Sequence, residues 1–233
     1  MKLEDGSADR LPRLKGDTVA EALRFYELSK KRRPDSSQED VYDSMLKDTK
    51  QFNVSSEELQ MMHWRLEEAY GGGEWYAENA GIYLTTLMQN SNQRRFVIEP
   101  VIPLDFFGMG LSGDKEVLVK GDVGDNLGFR MEDGRITVEG KAADYTGWLL
   151  KGGELMITGD AGELLGFMME KGSIAVGGSV TDYLGKEMKD GKITVRGNAG
   201  RDVAEDSRGG VILIGGTYES ASRKRGATIV MSA

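Results

Sequence analysis

Residues 140–159 read GKAADYTGWLLKGGELMITG, with glycine at the first, eighth, thirteenth, fourteenth and last positions. Glycine inside a regular element costs roughly 0.5–1 kcal/mol relative to alanine. Placement this dense points to a backbone that needs glycine at fixed points. Outward from this stretch the pattern repeats. Gly121, Gly140, Gly159, Gly178, Gly197 and Gly216 lie 19 residues apart without an insertion. Gly134, Gly153, Gly172, Gly191 and Gly210 keep the same step. A third column, Gly128, Gly147, Gly166 and Gly185, ends at Ala204. The apolar positions move with them, through Val117, Ile136, Leu155, Ile174, Ile193 and Ile212, and again through Val119, Val138, Ile157, Val176, Val195 and Ile214. Columns held in register over so long a stretch signal a solenoid.

The period decides which solenoid. Ile136, Val138, Gly140 and Ala142 alternate with Thr137, Glu139 and Lys141, as in a strand with one buried face. A second apolar group follows in each repeat, Leu165 and Met169 after Gly159 for example. No helix of adequate length fits within 19 residues beside these strands and glycines. Short strands and turns must therefore stack as a parallel β-helix, with five repeats rising about 24 Å at the ~4.8 Å strand spacing. The glycines then belong to corners, where the chain needs a positive φ or a close approach to its neighbour.

Residues 1–94 follow a different pattern, and the chain divides into a helical N-terminal region, 1–94, and a β-helix, 95–233. The fold class is α+β, mainly β. Thr18 with Glu21, Ser36 with Glu39 and Ser55 with Glu58 fit capping boxes, predicting helices over 18–31, 36–52 and 55–70. YGGGE at 70–74 ends the third, and EWYAENAGIYLTTLMQN at 74–90 predicts a fourth. RRFVIEPVIPLDFF, 94–107, reads as a connection or a first strand.

Composition narrows the function. The chain has 233 residues, no cysteine and a formal net charge of -8. Thiolate metal sites, iron–sulfur ligation and cysteine nucleophiles are excluded, and the negative charge argues against a general nucleic-acid binder. No apolar run approaches the ~20 residues of a membrane span. The polar opening does not read as a secretory signal, so a cytoplasmic location is expected. GMGLSG at 108–113 matches a dinucleotide fingerprint in letters, but DKEVLVKGD follows it as a strand where that motif requires a helix. His63 is the single histidine and falls within a predicted helix, where packing is its ordinary role. No catalytic constellation, cofactor site or metal site emerges.

Two surface columns remain. Asp125, Asp144, Glu163 and Asp182 would stack like charges at the strand spacing. They read either as carboxylates capping their own turn amides, or as a docking strip for a basic partner or a cation. Glu132, Lys151, Glu170 and Lys189 alternate in sign and suit a stabilising external ladder. Phe129, Trp148 and Phe167 form an aromatic column, with Tyr145 and Tyr183 beside it around Leu164. A slender coil has limited interior volume, so one of these aromatic columns is expected to face outward. The outward one is a candidate interface, for a partner or for the chain's own helices.

The stretch VKGDVGDNLGFRMEDGRITVEGKAADYTGWLLKGGELMITGDAGELLG, 119–166, resembles the GXGXG domain family. Members include the C-terminal β-helix domain of the glutamate synthase large subunit and the β-helix subunit of formylmethanofuran dehydrogenase. The resemblance spans about 117–216 and is closer to the formylmethanofuran dehydrogenase type, because the cadence runs on without longer excursions. It implies a right-handed, non-catalytic β-helix that packs against the subunits or domains bearing amidohydrolase, tungsten or molybdenum, flavin or iron–sulfur chemistry. The expectation is an accessory subunit of an oxidoreductase complex, holding no cofactor and binding neither nucleic acid nor membrane. Competing expectations are a stand-alone glutamate-synthase-type subunit of an amidotransferase complex and a self-associating β-helix protein. A third is a hydrolase working in the groove between the two regions through His63 or the acidic column.

Overall fold

The computed structural model of the protein describes residues 37–70, 76–221 and 226–231. The predicted helix at 18–31, with its Thr18–Glu21 cap, and most of the YGGGE stop lie outside the described residues. Among the described residues, three α-helices, α1 (Gln38–Asp48), α2 (Ser56–Tyr70) and α3 (Tyr76–Asn90), precede eight four-residue strands. These are β1 (Arg95–Ile98), β2 (Glu116–Val119), β3 (Arg135–Val138), β4 (Glu154–Ile157), β5 (Ser173–Val176), β6 (Lys192–Val195), β7 (Val211–Ile214) and β8 (Thr228–Met231). The strands form one sheet in sequence order, every pair parallel. The chain is a parallel β-solenoid with a small helical region at its first end.

The register confirms the repeat and extends it. Ile136 pairs with Leu155, Leu155 with Ile174 and Ile174 with Ile193, each a 19-residue step. The solenoid continues beyond the exact repeat at both ends, with Phe96 opposite Val117 and Ile212 opposite Ile229. Those end coils have different lengths, which hides them from a fixed period. Eight strands make seven steps, about 34 Å at the usual spacing, where the repeats alone suggest about 24 Å.

Alternation sends one strand face inward. Ile136, Val138, Leu155, Ile157, Ile174 and Val176 are buried. Two corner columns complete the interior, Leu127, Thr146, Leu165 and Leu184, then Met131, Leu150, Met169 and Met188. The glycine columns divide by cause. Gly147 has φ 73°, in the left-handed region, and an added Cβ there would also lie 2.4 Å from Ile174 Cδ1. Gly159 has no such φ, but its Cβ would meet the Gly140 carbonyl oxygen of the preceding coil at 2.7 Å. Where the third column fails, Ala204 keeps the corner with φ 58°.

The helices cap the first coil. α3 crosses it: Thr85 Oγ1 accepts the Gly108 amide at 2.8 Å, and Gln89 Oε1 accepts the Ser112 amide at 2.9 Å. Gly81 permits this approach, because a Cβ there would fall 2.0 Å from the Asp105 carbonyl oxygen. α2 covers the free edge of β1 and the segment after it. Ser56 Oγ accepts the Val97 amide at 2.8 Å, Gln60 Oε1 accepts that of Glu99 at 2.6 Å, and His63 Nε2 accepts that of Val101 at 3.3 Å. Successive side chains on one helical face thus stand in for the missing strand, which protects an edge that would otherwise invite pairing. The Ser55–Glu58 capping box is present, while α1 starts on Ser37 and Asp40, one residue later than the predicted pair. Helices and solenoid share one hydrophobic core.

Candidate docking face

The corner following each inner strand is a series of tight turns whose backbone groups reach the next coil. Tyr145 and Leu149, with φ 58° and 53°, donate their amides to the Glu163 and Phe167 carbonyls, both at 2.9 Å. Left-handed backbone costs a non-glycine residue roughly 1–2 kcal/mol, and these inter-coil hydrogen bonds oppose that cost.

The acidic column serves the same stacking. Asp105 Oδ1 accepts the Asp125 amide at 2.8 Å, Asp125 Oδ1 that of Asp144 at 3.0 Å, and Asp144 Oδ1 that of Glu163 at 2.8 Å. The series breaks at Glu163, one methylene longer, and resumes where Asp182 Oδ1 accepts the Arg201 amide at 2.8 Å. The carboxylates therefore cap the amides of the next coil rather than those of their own turns. Hydrogen bonds from the Arg201 amide and guanidinium hold the Asp182 carboxyl below its ordinary range. Desolvation raises that of Asp105. Among the described residues no group of three His, Cys, Asp or Glu side chains is placed to hold a metal ion.

A second, parallel ladder is one that the repeat columns do not single out. Asp122 Oδ1 accepts the Lys141 amide, Asp160 Oδ1 that of Ser179, Ser179 Oγ that of Asn198, and Asn198 Oδ1 that of Thr217, all at 2.8–3.0 Å. Its signal in the sequence is short polar acceptors recurring one residue after the first glycine column. The alternating column forms discrete ion pairs, Lys151 with Glu132 at 2.9 Å and Lys189 with Glu170 at 2.6 Å.

Tyr145 joins the Phe129, Trp148 and Phe167 column in one cluster. Phe106 and Phe129 pack edge to face with centroids 5.8 Å apart. Phe129 and Trp148 stand 4.6 Å apart, Trp148 and Phe167 6.1 Å, and Tyr145 lies 5.7 Å from Trp148. Phe129 is buried, whereas Trp148, Phe167, Tyr145 and Tyr183 are half-buried. The Lys186 ammonium sits 4.7 Å from the Tyr183 ring. Trp148 Nε1 is buried without a hydrogen-bond partner among the described residues.

A groove of about 330 Å³ runs between α1 and the first coils, lined by Glu39, Tyr42, Asp43, Arg130, Glu132 and Lys151 among others. Burial first, then Glu132 and Asp43, push the Tyr42 phenol up to about 12. Neither His63 nor the column from Asp125 to Asp182 lines it. His63 is fully buried at the β1 edge instead, with Glu67 Oε2 3.5 Å from Nε2, and desolvation lowers its pKa to about 4. No protein-family model matches the sequence, and no curated protein matches it. No helix among the described residues is long and apolar enough to cross a membrane.

Proposed function

We propose that the chain is a non-catalytic β-helix scaffold, an accessory subunit of a multisubunit enzyme of the kind its coil cadence resembles, formylmethanofuran dehydrogenase. The observation that carries this reading is how the polar side chains are spent. The two ladders of short acceptors bind amides of the next coil, and the histidine binds the amide of Val101. What faces outward is a corner bearing half-buried aromatics, the side-chain type enriched at protein contacts. A cytoplasmic location accompanies this role.

The test is isolation of the tagged full chain from its native host under gentle conditions, with mass spectrometry of what accompanies it. Large redox or amidotransferase subunits in stoichiometric amount are expected. Recovery of the chain alone, or only as copies of itself, overturns the reading.

A further inference from the structure

The aromatic corner begins where α1 begins. Glu39, in the first turn of α1, pairs with Arg130 at 2.5 Å, and the Arg130 guanidinium lies over the Phe129 ring, 5.6 Å from its centroid. Gln38 Nε2 donates to Glu78 Oε1 at 2.5 Å, which fixes the same end against α3. The start of α1 therefore stands at the Phe106–Phe129 end of the strip. Residues 1–36 lie outside the described residues, but their sequence carries a pattern. In 18–31, Val19, Ala22, Leu23 and Tyr26 share one face at helical spacing. Fourteen helical residues span about 21 Å. The strip from Phe106 to Tyr183 covers four inter-strand steps, about 19 Å. Lys30, Lys31, Arg32 and Arg33 follow at the end nearest α1. That end of the corner carries Asp125 and Asp144, each of which uses Oδ1 for a backbone amide.

We propose that residues 1–36 dock in cis on this corner, with the apolar face of 18–31 against Tyr145, Trp148 and Phe167 and the basic run against Asp125 and Asp144. Two observations converge on it: the length match and the opposite charges. A short tether also gives the segment an effective concentration on the order of millimolar, ahead of a separate partner. Docking of this kind does not rest on the scaffold role, and where it occurs a partner subunit meets the corner through this segment.

Hydrogen exchange of the full chain, read by mass spectrometry, tests it. An isolated helix of this length is marginal, so protection of 18–31 reports docking. The comparison uses wild type, Trp148→Ser, and Arg32→Glu with Arg33→Glu, the last of which leaves the solenoid's residues unchanged. The expected result is exchange at 18–31 at least about tenfold slower in wild type than in either variant, independent of protein concentration. Unprotected exchange in wild type overturns the proposal, as does protection that survives both changes. Protection that rises with concentration also overturns it, because the occupant is then a second copy.

Discussion

His63 gives the sharpest quantitative prediction. Its ring is fully buried, and Nε2 accepts the Val101 amide, a bond that only the neutral imidazole can make. Desolvation lowers its pKa from 6.5 to about 4. The unfolded chain therefore binds a proton at this site where the folded chain does not. Stability is complete above pH 6.5 and is lost as pH falls toward 4. At pH 5.0 the two pKa values imply a loss of about 2 kcal/mol relative to pH 7.5, approaching about 3 kcal/mol near pH 4. Glu67 works in the opposite direction, since burial raises its carboxyl and the folded chain takes up that proton more readily. The perturbation is His63→Phe, which keeps the ring volume and removes the titration, with Glu67→Gln as a control for the neighbour. Urea unfolding followed by circular dichroism at pH 7.5 and 5.0 gives the comparison. Wild type should lose about 2 kcal/mol more between the two pH values than His63→Phe, and Glu67→Gln, without the opposing carboxyl, should lose more than wild type. Equal pH dependence in wild type and His63→Phe would refute the reasoning.

Other substitutions probe the solenoid itself. Ile174→Ala removes a side chain that is 1% exposed at the centre of the stack and should cost about 2–5 kcal/mol in the same unfolding assay. Gly159→Ala forces a Cβ toward the Gly140 carbonyl and should cost about 1–3 kcal/mol through displaced backbone. Asp144→Ala should cost about 1 kcal/mol through the uncapped Glu163 amide, while Asp144→Asn, which keeps an acceptor, stays within a few tenths.

How much of the molecule is legible in the sequence follows from which forces are periodic. The interior strand columns and corner glycines repeat because each coil meets a near-identical neighbour, so Ile136 predicts Leu155 and Ile174. The end coils at Phe96 and Ile229 break the period and are invisible to it, although 94–107 does read as a strand or connection. Left-handed backbone at Tyr145 and Leu149 is not legible either, because it is tolerated through inter-coil hydrogen bonds that no residue type announces. The acidic column is visible, but its partners lie one coil further on than the sequence suggests, since composition shows acceptors without showing which amides they reach. The capping of β1 by Ser56, Gln60 and His63 needs the fold, because those residues find Val97, Glu99 and Val101 only after the helix lies along the edge.

The solenoid and its outward columns all depend on coils stacked in a 19-residue register, and the absence of cysteine gives a clean background for testing it. Thr137 pairs with Met156, and Met156 with Ala175, all at outward positions of neighbouring strands. Disulfides require Cα atoms about 4.4–6.8 Å apart, which adjacent strands satisfy and alternate strands, at about 9.6 Å, do not. Thr137→Cys combined with Met156→Cys should oxidise readily to a bridge within one chain. Thr137→Cys combined with Ala175→Cys should leave both thiols free under the same conditions. Thiol titration and peptide mapping read the result, and bridging of the second pair as readily as the first would contradict the stacked register.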